Sequence, residues 1–492
     1  MSLRRVLIAN RGEIAVRIAR ACREAGIESV AVHTDADPDA LHVTAADRAI
    51  NIGAANSYLS IDALMTAAAT AHADALHPGY GFLSERAALA HACERAGIVF
   101  IGPPGNVIER MGSKIEARAL MAGAGVPVVP GATPSDQTDD GIRAAAVSLG
   151  FPVLLKASAG GGGKGMRIAR SEDVVVELAA SARREAHAAF GDGTLYVERL
   201  IERPRHVEIQ ILADAHGNVV HLFERECSIQ RRHQKIIEES PSTALTAATR
   251  ARMGDAAVAA ARAAGYVNAG TIEFLLEGRG PDARFYFLEM NTRLQVEHPI
   301  TEAVTGVDLV RAQLDVAAGQ PLPWSQASLT QRGHAIECRV YAEDPSQGFL
   351  PQAGPLLLYR EPSGPGIRID SGVREGDRVG VEYDPLLAKL IAYGEHRAAA
   401  IARAVQALRA YPILGIRTNI PFLVRLLDHA VFAAGDLHTG VVEELLPALT
   451  AAADPPPEAL AAAALIGAPA PLARAADIRA VDPWDTLERW GR

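Results

Sequence analysis

The stretch Val6-Leu-Ile-Ala-Asn-Arg-Gly-Glu13 begins a regular alternation of strand and helix patterns. Its first four residues are apolar and predict a buried strand, and Gly12 to Ala25 carries apolar residues at helical spacing. Strands are further predicted at residues 29–33, 73–77 and 98–101, and helices at residues 61–71 and 84–96. This order is typical of a parallel sheet with helices on both faces. The first turn lacks the G-x-G-x-x-G pattern, so a dinucleotide site is not expected there.

Composition limits the classes of protein to which the chain can belong. At 492 residues, and roughly one domain per 150 residues, about three domains are expected. The net charge of −9 argues against a nucleic-acid surface, which needs clustered basic residues. The four cysteines are far apart in the sequence, which is typical of a protein in the reducing cytoplasm. No apolar run approaches the roughly 18 residues of a membrane span, so no membrane association is expected.

A glycine run, Ala159-Gly-Gly-Gly-Gly-Lys-Gly165, lies between two predicted strands. It does not match the P-loop pattern and does not precede a helix. Glycines let backbone N–H groups approach a phosphate closely, and Lys156 and Lys164 could offset its charge. A flexible surface hairpin is an equally good interpretation of this run taken alone.

The residues around position 290 predict a metal site. Two strand-like runs, 271–276 and 285–291, are joined by a short polar loop. Every second residue from Glu289 to Glu297 is polar, so five polar groups share one face if the stretch stays extended. Glu273 on the neighbouring strand could join Glu289 and Asn291 as ligands of Mg²⁺ or Mn²⁺. The alternative is an amphipathic strand with one solvated face, which polar residues of low strand propensity make less favourable.

Two further segments carry groups that can hold an anion. Cations and hydrogen-bonding side chains are concentrated in Cys227-Ser-Ile-Gln-Arg-Arg-His-Gln-Lys235. His77-Pro-Gly-Tyr-Gly-Phe-Leu-Ser-Glu85 lies at a strand-to-helix turn, where Ser84 is the expected N-cap and the helix N-terminus could bind an anion. A solvated charged loop and a tight turn are the alternatives for the two segments.

Taken together, these segments resemble the biotin carboxylase family of ATP-grasp enzymes. The resemblance covers about residues 4–446 in order, and several of the matching sequence motifs are long and specific. Other ATP-grasp ligases share the glycine run and the metal ligands, but not Arg-Arg-His-Gln-Lys or Gln-Val-Glu-His. The matching stretches are residues 8–15, 77–85, 111–114, 156–166, 204–210, 230–235, 289–299 and 337–339. Ser113 stands where many members carry Asp, and Lys164 where others carry Arg.

The resemblance implies an α/β fold of three domains and a tail. A Rossmann-like pre-ATP-grasp domain is expected at residues 1–113, and an ATP-grasp domain at 114–331 with a mobile glycine-rich lid near 131–205. A C-terminal α/β biotin carboxylase domain is expected at 332–446. Residues 447–492 are rich in Ala and Pro and are expected to form a linker or tail.

The resemblance also implies a role for each matching site residue. ATP would be bound by Lys114, Lys156, Gly161, Gly162, Glu198, Ile201, His206, Gln230, His233 and Leu275. Mg²⁺ or Mn²⁺ would be held by Glu273, Glu289 and Asn291. Bicarbonate and its phosphorylated form would be surrounded by Lys235, Arg293, Gln295, Val296 and Arg339, with Glu297 as general base. Arg293 would also stabilise the enolate-like oxygen of biotin.

The implied reaction is the ATP-dependent carboxylation of biotin by bicarbonate through carboxyphosphate, the first half-reaction of an acyl-CoA carboxylase. The resemblance implies that biotin is carried on a domain with a Met-Lys-Met motif, and the sequence contains no Met-Lys dipeptide. Biotin would therefore arrive on a carrier domain of another chain or of a longer α subunit. A carboxyltransferase subunit and a homodimer or larger α/β complex are the implied partners. The alternatives are the equivalent part of a pyruvate carboxylase and, from a different class, a non-catalytic ATP-binding subunit.

Overall fold

The first sheet contains the strand-to-helix turn with which the chain begins. In the computed structural model, the described part of the chain comprises residues 3–157, 165–451 and 457–467. Its first elements are β1 (Arg5–Ile8), α1 (Gly12–Glu24), β2 (Glu28–His33), α2 (Leu41–Ala45), β3 (Arg48–Asn51), α3 (Ile61–Ala71), β4 (Ala75–His77), α4 (Ala87–Arg95), β5 (Val99–Phe100) and α5 (Gly105–Gly112). The strands are parallel in the order β3-β2-β1-β4-β5, as the alternating pattern predicts.

The turns after β1 and β4 meet at the point where the strand order reverses. Asn10 donates hydrogen bonds to the carbonyls of Pro78 and Tyr80, both at 2.7 Å. The prediction that Ser84 is an N-cap is wrong, because α4 begins only at Ala87 with Arg86 at the N-cap position. Residues 81–86 instead form tight turns, in which the N–H of Ser84 donates to Gly81.

The next segment forms a separate small sheet. Its elements are α6 (Lys114–Gly123), β6 (Gly131–Ala132), α7 (Asp139–Leu149), β7 (Val153–Ala157), β8 (Arg167–Ala169), α8 (Val175–Phe190) and β9 (Leu195–Arg199). The strands follow the order β6-β9-β7-β8 and are antiparallel. α7 and α8 cover one apolar side through Ile142, Val175 and Ala179. The predicted phosphate-binding residues Gly161 and Gly162, and Lys164, lie outside the described residues.

The largest sheet begins with the strands that carry most of the predicted site. These elements are β10 (Arg205–Ala213), β11 (Val219–Arg231), β12 (Gln234–Ser240), α9 (Ala247–Ala264), β13 (Asn268–Glu277), β14 (Arg284–Asn291), α10 (His298–Thr305) and α11 (Leu309–Ala317). The predicted hairpin at 271–276 and 285–291 is confirmed as β13 and β14, which pair antiparallel.

The remaining strands continue the same sheet. They and their helices are β15 (His334–Tyr341), β16 (Glu343–Asp344), β17 (Leu350–Pro351), β18 (Gly354–Pro355), β19 (Leu358–Tyr359), β20 (Ile367–Ser371), β21 (Arg378–Val379), β22 (Leu386–Gly394), α12 (Arg397–Arg409), β23 (Ile413–Leu414), α13 (Ile420–Leu427), α14 (Ala430–Ala433) and α15 (Val441–Leu449). The eight strands lie in the order β14-β13-β10-β11-β12-β15-β22-β20, so one sheet spans residues 205–394.

The α/β fold class is confirmed, and the chain divides into a large unit at residues 1–450 and a second unit from residue 451. α15 continues to Leu449, three residues beyond the predicted limit of 446. In the second unit the described residues include one helix, α16 (Pro457–Gly467). Among the described helices, none has both the length and the apolar character required to cross a membrane.

Candidate active site

The segment after β14 does not stay extended, so the five polar residues from Glu289 to Glu297 do not share one face of a strand. β14 ends at Asn291, residues 292–297 turn, and α10 begins at His298. The polar side chains nevertheless remain together, because the turn folds them around one guanidinium. Arg293 donates to Asn291 Oδ1 at 3.0 Å and to Gln295 Oε1 at 2.8 Å.

Sheet register places three glutamates in a row across neighbouring strands. Glu273 on β13 lies directly opposite Glu208 on β10 and Glu289 on β14. Like charges that are directly opposite in a sheet repel. The row is therefore stable only if cations lie against it. The face of the sheet that carries these glutamates is consequently the face on which a charged site forms.

Glu273 is the most heavily hydrogen-bonded member of the row. Its Oε1 accepts from Lys235 at 2.8 Å, Asn291 at 2.9 Å and Gln295 at 3.2 Å. Its Oε2 lies 2.8 Å from His206 Nε2. Burial opposes ionisation of Glu273, but Lys235 and His206 outweigh burial and lower its pKa well below the ordinary value. Glu273 is therefore a carboxylate at neutral pH.

Lys235 is the cation between three carboxylates. Its Nζ lies 2.6 Å from Glu208, 2.8 Å from Glu273 and 2.7 Å from Glu297. An ammonium has three N–H donors, so all three are used. Two groups of acidic, His and Cys side chains in the described chain are close enough to share a metal, namely His206, Glu208 and Glu273, and Glu208, Cys227 and Glu297. The ammonium of Lys235 bonds to carboxylates of both groups, so we assign the cation there to the lysine.

Glu297 is fully buried and held from two sides. Lys235 binds its Oε1, and Arg339 donates to its Oε2 at 3.0 Å. Burial opposes ionisation, but Lys235, Arg339 and Arg225 outweigh it and lower the pKa of Glu297 far below the ordinary value. Glu297 is consequently ionised throughout the neutral range, and as a base it would depend on position rather than on a matched pKa.

Glu289 is the exposed end of the row, and its surroundings fit a divalent cation. Partial desolvation and then the like charge of Glu273 raise the pKa of Glu289, with Lys114 opposing. This excess negative charge would be relieved by a hard cation. Glu273, Glu289 and the amide oxygen of Asn291 supply the oxygen ligands that Mg²⁺ and Mn²⁺ prefer. The predicted metal ligands therefore fit such an ion.

The residues predicted to contact ATP lie along the small sheet and the adjoining strands. Lys156 on β7 forms an ion pair with Glu198 on β9, which also accepts from Tyr196 at 3.0 Å. Lys114 interacts electrostatically with Glu289, Lys156 and Glu198. Two predicted phosphate-binding cations therefore lie close to each other, and one of them, Lys114, interacts with the predicted metal ligand Glu289.

The other predicted ATP-binding residues occupy strand and turn positions around the same face. Ile201 is buried just beyond β9, and Leu275 on β13 lies opposite His206. Gln230 lies opposite Lys235 on the β11–β12 hairpin. His233 is at the exposed turn of that hairpin, with a left-handed φ of 67°. Val296, which the resemblance places beside bicarbonate rather than ATP, contributes its carbonyl, which accepts from Lys389 at 2.9 Å.

Several charged and polar residues of the site were not assigned a role from the sequence. Glu208 and Gln210 follow His206 on β10 at a spacing of two residues, and in the sequence this spacing indicates that all three side chains share one face. Arg225 binds Glu208 at 2.5 Å, and Glu238 accepts from Arg339 at 2.7 Å. The first contact joins the consecutive strands β10 and β11. The second joins β12 and β15, which are distant in sequence, and no local pattern indicates it.

Models of known families match nearly the whole of the large unit. Residues 2–108 match "Biotin carboxylase, N-terminal domain", and residues 113–325 match "Carbamoyl-phosphate synthase L chain, ATP binding domain". Residues 337–444 match "Biotin carboxylase C-terminal domain".

Individual relatives agree with these matches. The chain is 50% identical over 454 residues to the mitochondrial methylcrotonoyl-CoA carboxylase subunit alpha of Rattus norvegicus, covering 91% of this chain and 63% of that protein. It is 51% identical over 442 residues to the biotin carboxylase of Halalkalibacterium halodurans, covering 89% and 97%. The chain therefore spans less than two thirds of the rat subunit but nearly all of the bacterial one.

A solved structure shares the fold. The biotin carboxylase domain dimer of Hydrogenobacter thermophilus 2-oxoglutarate carboxylase, in complex with MgADP, ADP and bicarbonate, superposes with a TM-score of 0.87 at 44% identity. The match covers 92% of this chain and 100% of that one. On these matches and the arrangement of its charged residues, the chain belongs to the biotin carboxylase family.

Proposed function

We propose that the protein uses ATP and bicarbonate to carboxylate biotin, the first half-reaction of an acyl-CoA carboxylase. The observation that carries this proposal is the placement of Glu297, an ionised and fully buried carboxylate held between Lys235 and Arg339. Bicarbonate is a weak nucleophile until a base removes its proton. A carboxylate fixed among cations can act on that proton and, through the same cations, attract the anion.

Phosphoryl transfer requires that charge on the phosphates be neutralised. Lys114 and Lys156 lie close to each other and would contact the ATP phosphates, as would the glycine run. A divalent cation held by Glu273, Glu289 and Asn291 would supply further charge neutralisation. Attack by bicarbonate on the γ-phosphate then gives carboxyphosphate and ADP, and carboxyphosphate yields CO₂ and phosphate.

The second step needs a proton to leave the ureido nitrogen of biotin. Phosphate or Glu297 would accept it, and the resulting nitrogen attacks CO₂ to form carboxybiotin. Arg293 would stabilise the enolate-like oxygen that develops, because its guanidinium is oriented by Asn291, Gln295 and Glu85. Gln295, Val296 and Arg339 would position bicarbonate beside Glu297.

The proposal is tested by measuring bicarbonate-dependent ATP hydrolysis and its stimulation by free biotin. We expect stimulation in the wild type, and at least a hundredfold loss of carboxylation in Glu297→Gln and Arg293→Ala with ATP binding retained. Glu94→Gln, an exposed glutamate on α4, is the matched control and should behave as wild type. Well-folded wild-type protein without biotin stimulation would contradict the proposal.

The acceptor and partners follow from the same reaction. Biotin would be presented by a carrier domain, and a carboxyltransferase subunit would use the product in a homodimer or larger α/β complex. A pyruvate carboxylase would share this half-reaction, so the final acceptor is identified by the partner that copurifies. A non-catalytic ATP-binding subunit is the rival from another class, and biotin-stimulated hydrolysis would exclude it. We further propose a cytoplasmic location, which the four free and buried cysteines support.

A further inference from the structure

Lys389 is a fully buried lysine in the middle of β22. Its Nζ donates to the carbonyl of Val296 at 2.9 Å and lies 3.2 Å from Glu13 and 3.8 Å from Asp370. Its side chain has no exposed surface. Lysines are almost never buried so completely unless their ammonium is paired. Burial of this ammonium is therefore unfavourable by itself, and the groups that it contacts show which part of the molecule it stabilises.

The Val296 carbonyl belongs to the peptide bond that links Val296 to Glu297. Lys389 lies opposite Arg339 in the pairing of β22 with β15. Arg339 binds the carboxylate of Glu297 at 3.0 Å. Two neighbouring strands thus hold Glu297 at both ends, Lys389 at the backbone and Arg339 at the side chain.

We propose that Lys389 is a positioning residue for Glu297. The inference rests on the proposed function, in which Glu297 is the general base. Residues 292–297 form a turn outside the strands and helices, and the hydrogen bond from Lys389 to the Val296 carbonyl fixes the peptide next to Glu297. Misplacement of a catalytic group by about 1 Å can reduce a rate by about a hundredfold.

Three acidic neighbours act on Lys389, namely Glu13, Glu337 and Asp370, and they separate this positioning contact from simple charge pairing. Burial raises the pKa of Glu337 well above the ordinary value despite the opposing effect of Lys389. Burial raises the pKa of Glu13 to about 7 despite the opposing effect of Lys389. The ion pair of Glu13 with Lys389 therefore does not offset the desolvation of this carboxylate, and a neutral isostere of Glu13 should be tolerated. Asp370 is also bound by Arg368 at 2.7 Å, so it keeps a cationic partner without Lys389.

The test compares Lys389→Met, Glu13→Gln and the double variant in the full-length protein, with bicarbonate and free biotin as substrates. Lys389→Met preserves length but removes the donor, and kcat for biotin carboxylation should fall about 10–100-fold with the KM for ATP changed less than twofold. Glu13→Gln keeps the contact with Val296 and should retain kcat within twofold. The double variant should recover the melting temperature lost in Lys389→Met while kcat stays low.

The outcomes distinguish this inference from the proposed function. A wild type without biotin-stimulated ATP hydrolysis overturns the proposed function itself. An active wild type with a double variant whose kcat matches that of Glu13→Gln overturns the positioning role and leaves the proposed function intact. If Lys389→Met does not fold, the double variant, which also removes the charge of Glu13, decides between the two results.

Discussion

At the scale of single residues, the site is a set of carboxylates that share cations. Lys235 forms ion pairs with three glutamates, and Arg339 forms ion pairs with Glu238 and Glu297. Removing one partner of such a buried pair leaves an uncompensated charge, which costs about 3–5 kcal/mol. Substitutions here would therefore disturb several groups at once. Variants at the exposed margin of the cluster give effects that are easier to assign.

Glu85 is such a marginal residue. It lies 3.2 Å from Arg293 Nε and accepts the N–H of Thr292 at 3.3 Å. Glu85→Gln keeps an oxygen for that N–H but removes the charge that orients Arg293. An ion pair this exposed contributes up to about 1 kcal/mol, which corresponds to a loss of up to about fivefold in kcat. Steady-state kinetics would test this, with Glu94→Gln as control, and unchanged kcat would exclude an orienting role.

At the scale of elements, local patterns predicted most of the secondary structure. The spacing of apolar residues placed α1, α3 and the β13–β14 hairpin within a few residues of their actual bounds. What the sequence alone could not provide was the pairing of β10 with β13 and of β12 with β15. These pairings bring Glu208 and Arg339 into the site from strands distant in sequence. Most of the site residues, by contrast, came from the family resemblance rather than from periodicity.

The hairpin between β11 and β12 contains a backbone conformation that its residues do not favour. Its two turn residues, Arg232 and His233, both have positive φ, 48° and 67°. A two-residue turn of this kind prefers Asn or Gly. Arg232→Asn should therefore raise the melting temperature by about 0.5 °C, given a gain of roughly 0.5 kcal/mol in a unit of this size. Arg262→Asn in the last turn of α9 is the control and should lower it, and a lower value for both would contradict the argument.

The contact of α1 with β22 predicts a pH dependence of stability. Burial raises the pKa of Glu13 in α1 to about 7, with Lys389 opposing. A carboxyl whose pKa is raised by folding contributes stability that is complete below its unfolded pKa, about 4.5, and lost as the pH rises through 7. Glu13→Gln stays neutral, so its melting temperature should rise relative to wild type between pH 5 and pH 8.

Thermal unfolding across this pH range measures the effect in Glu13→Gln. Glu24→Gln, at the exposed end of the same helix, is the matched control. Its difference from wild type should stay nearly constant over the range. A constant difference for Glu13→Gln as well would mean that Glu13 is already ionised in the folded protein at pH 5.

At the scale of the whole molecule, the large sheet joins segments that match separate family models. β12 of the earlier segment pairs with β15 of the later one, and the loop at residues 318–333 connects the two segments in the chain. Arg339 and Lys389, which hold Glu297, come from the later segment, whereas Glu297 comes from the earlier one. Neither segment contains a complete site, and each alone would expose an unpaired strand edge and buried charges without partners.

A chain divided after Gln320 should therefore be active only as an assembled pair. Gln320 is exposed and lies between α11 and β15, so the break itself removes no strand pairing. Residues 1–320 or 321–492 expressed singly should aggregate or unfold, because each lacks the other half of the β12–β15 ladder. Coexpressed pieces should copurify and recover bicarbonate-dependent ATP hydrolysis. Truncation after Thr450 is the control, since it removes only the second unit and should preserve activity. A folded, active 1–320 piece would show that the sheet does not couple the two segments.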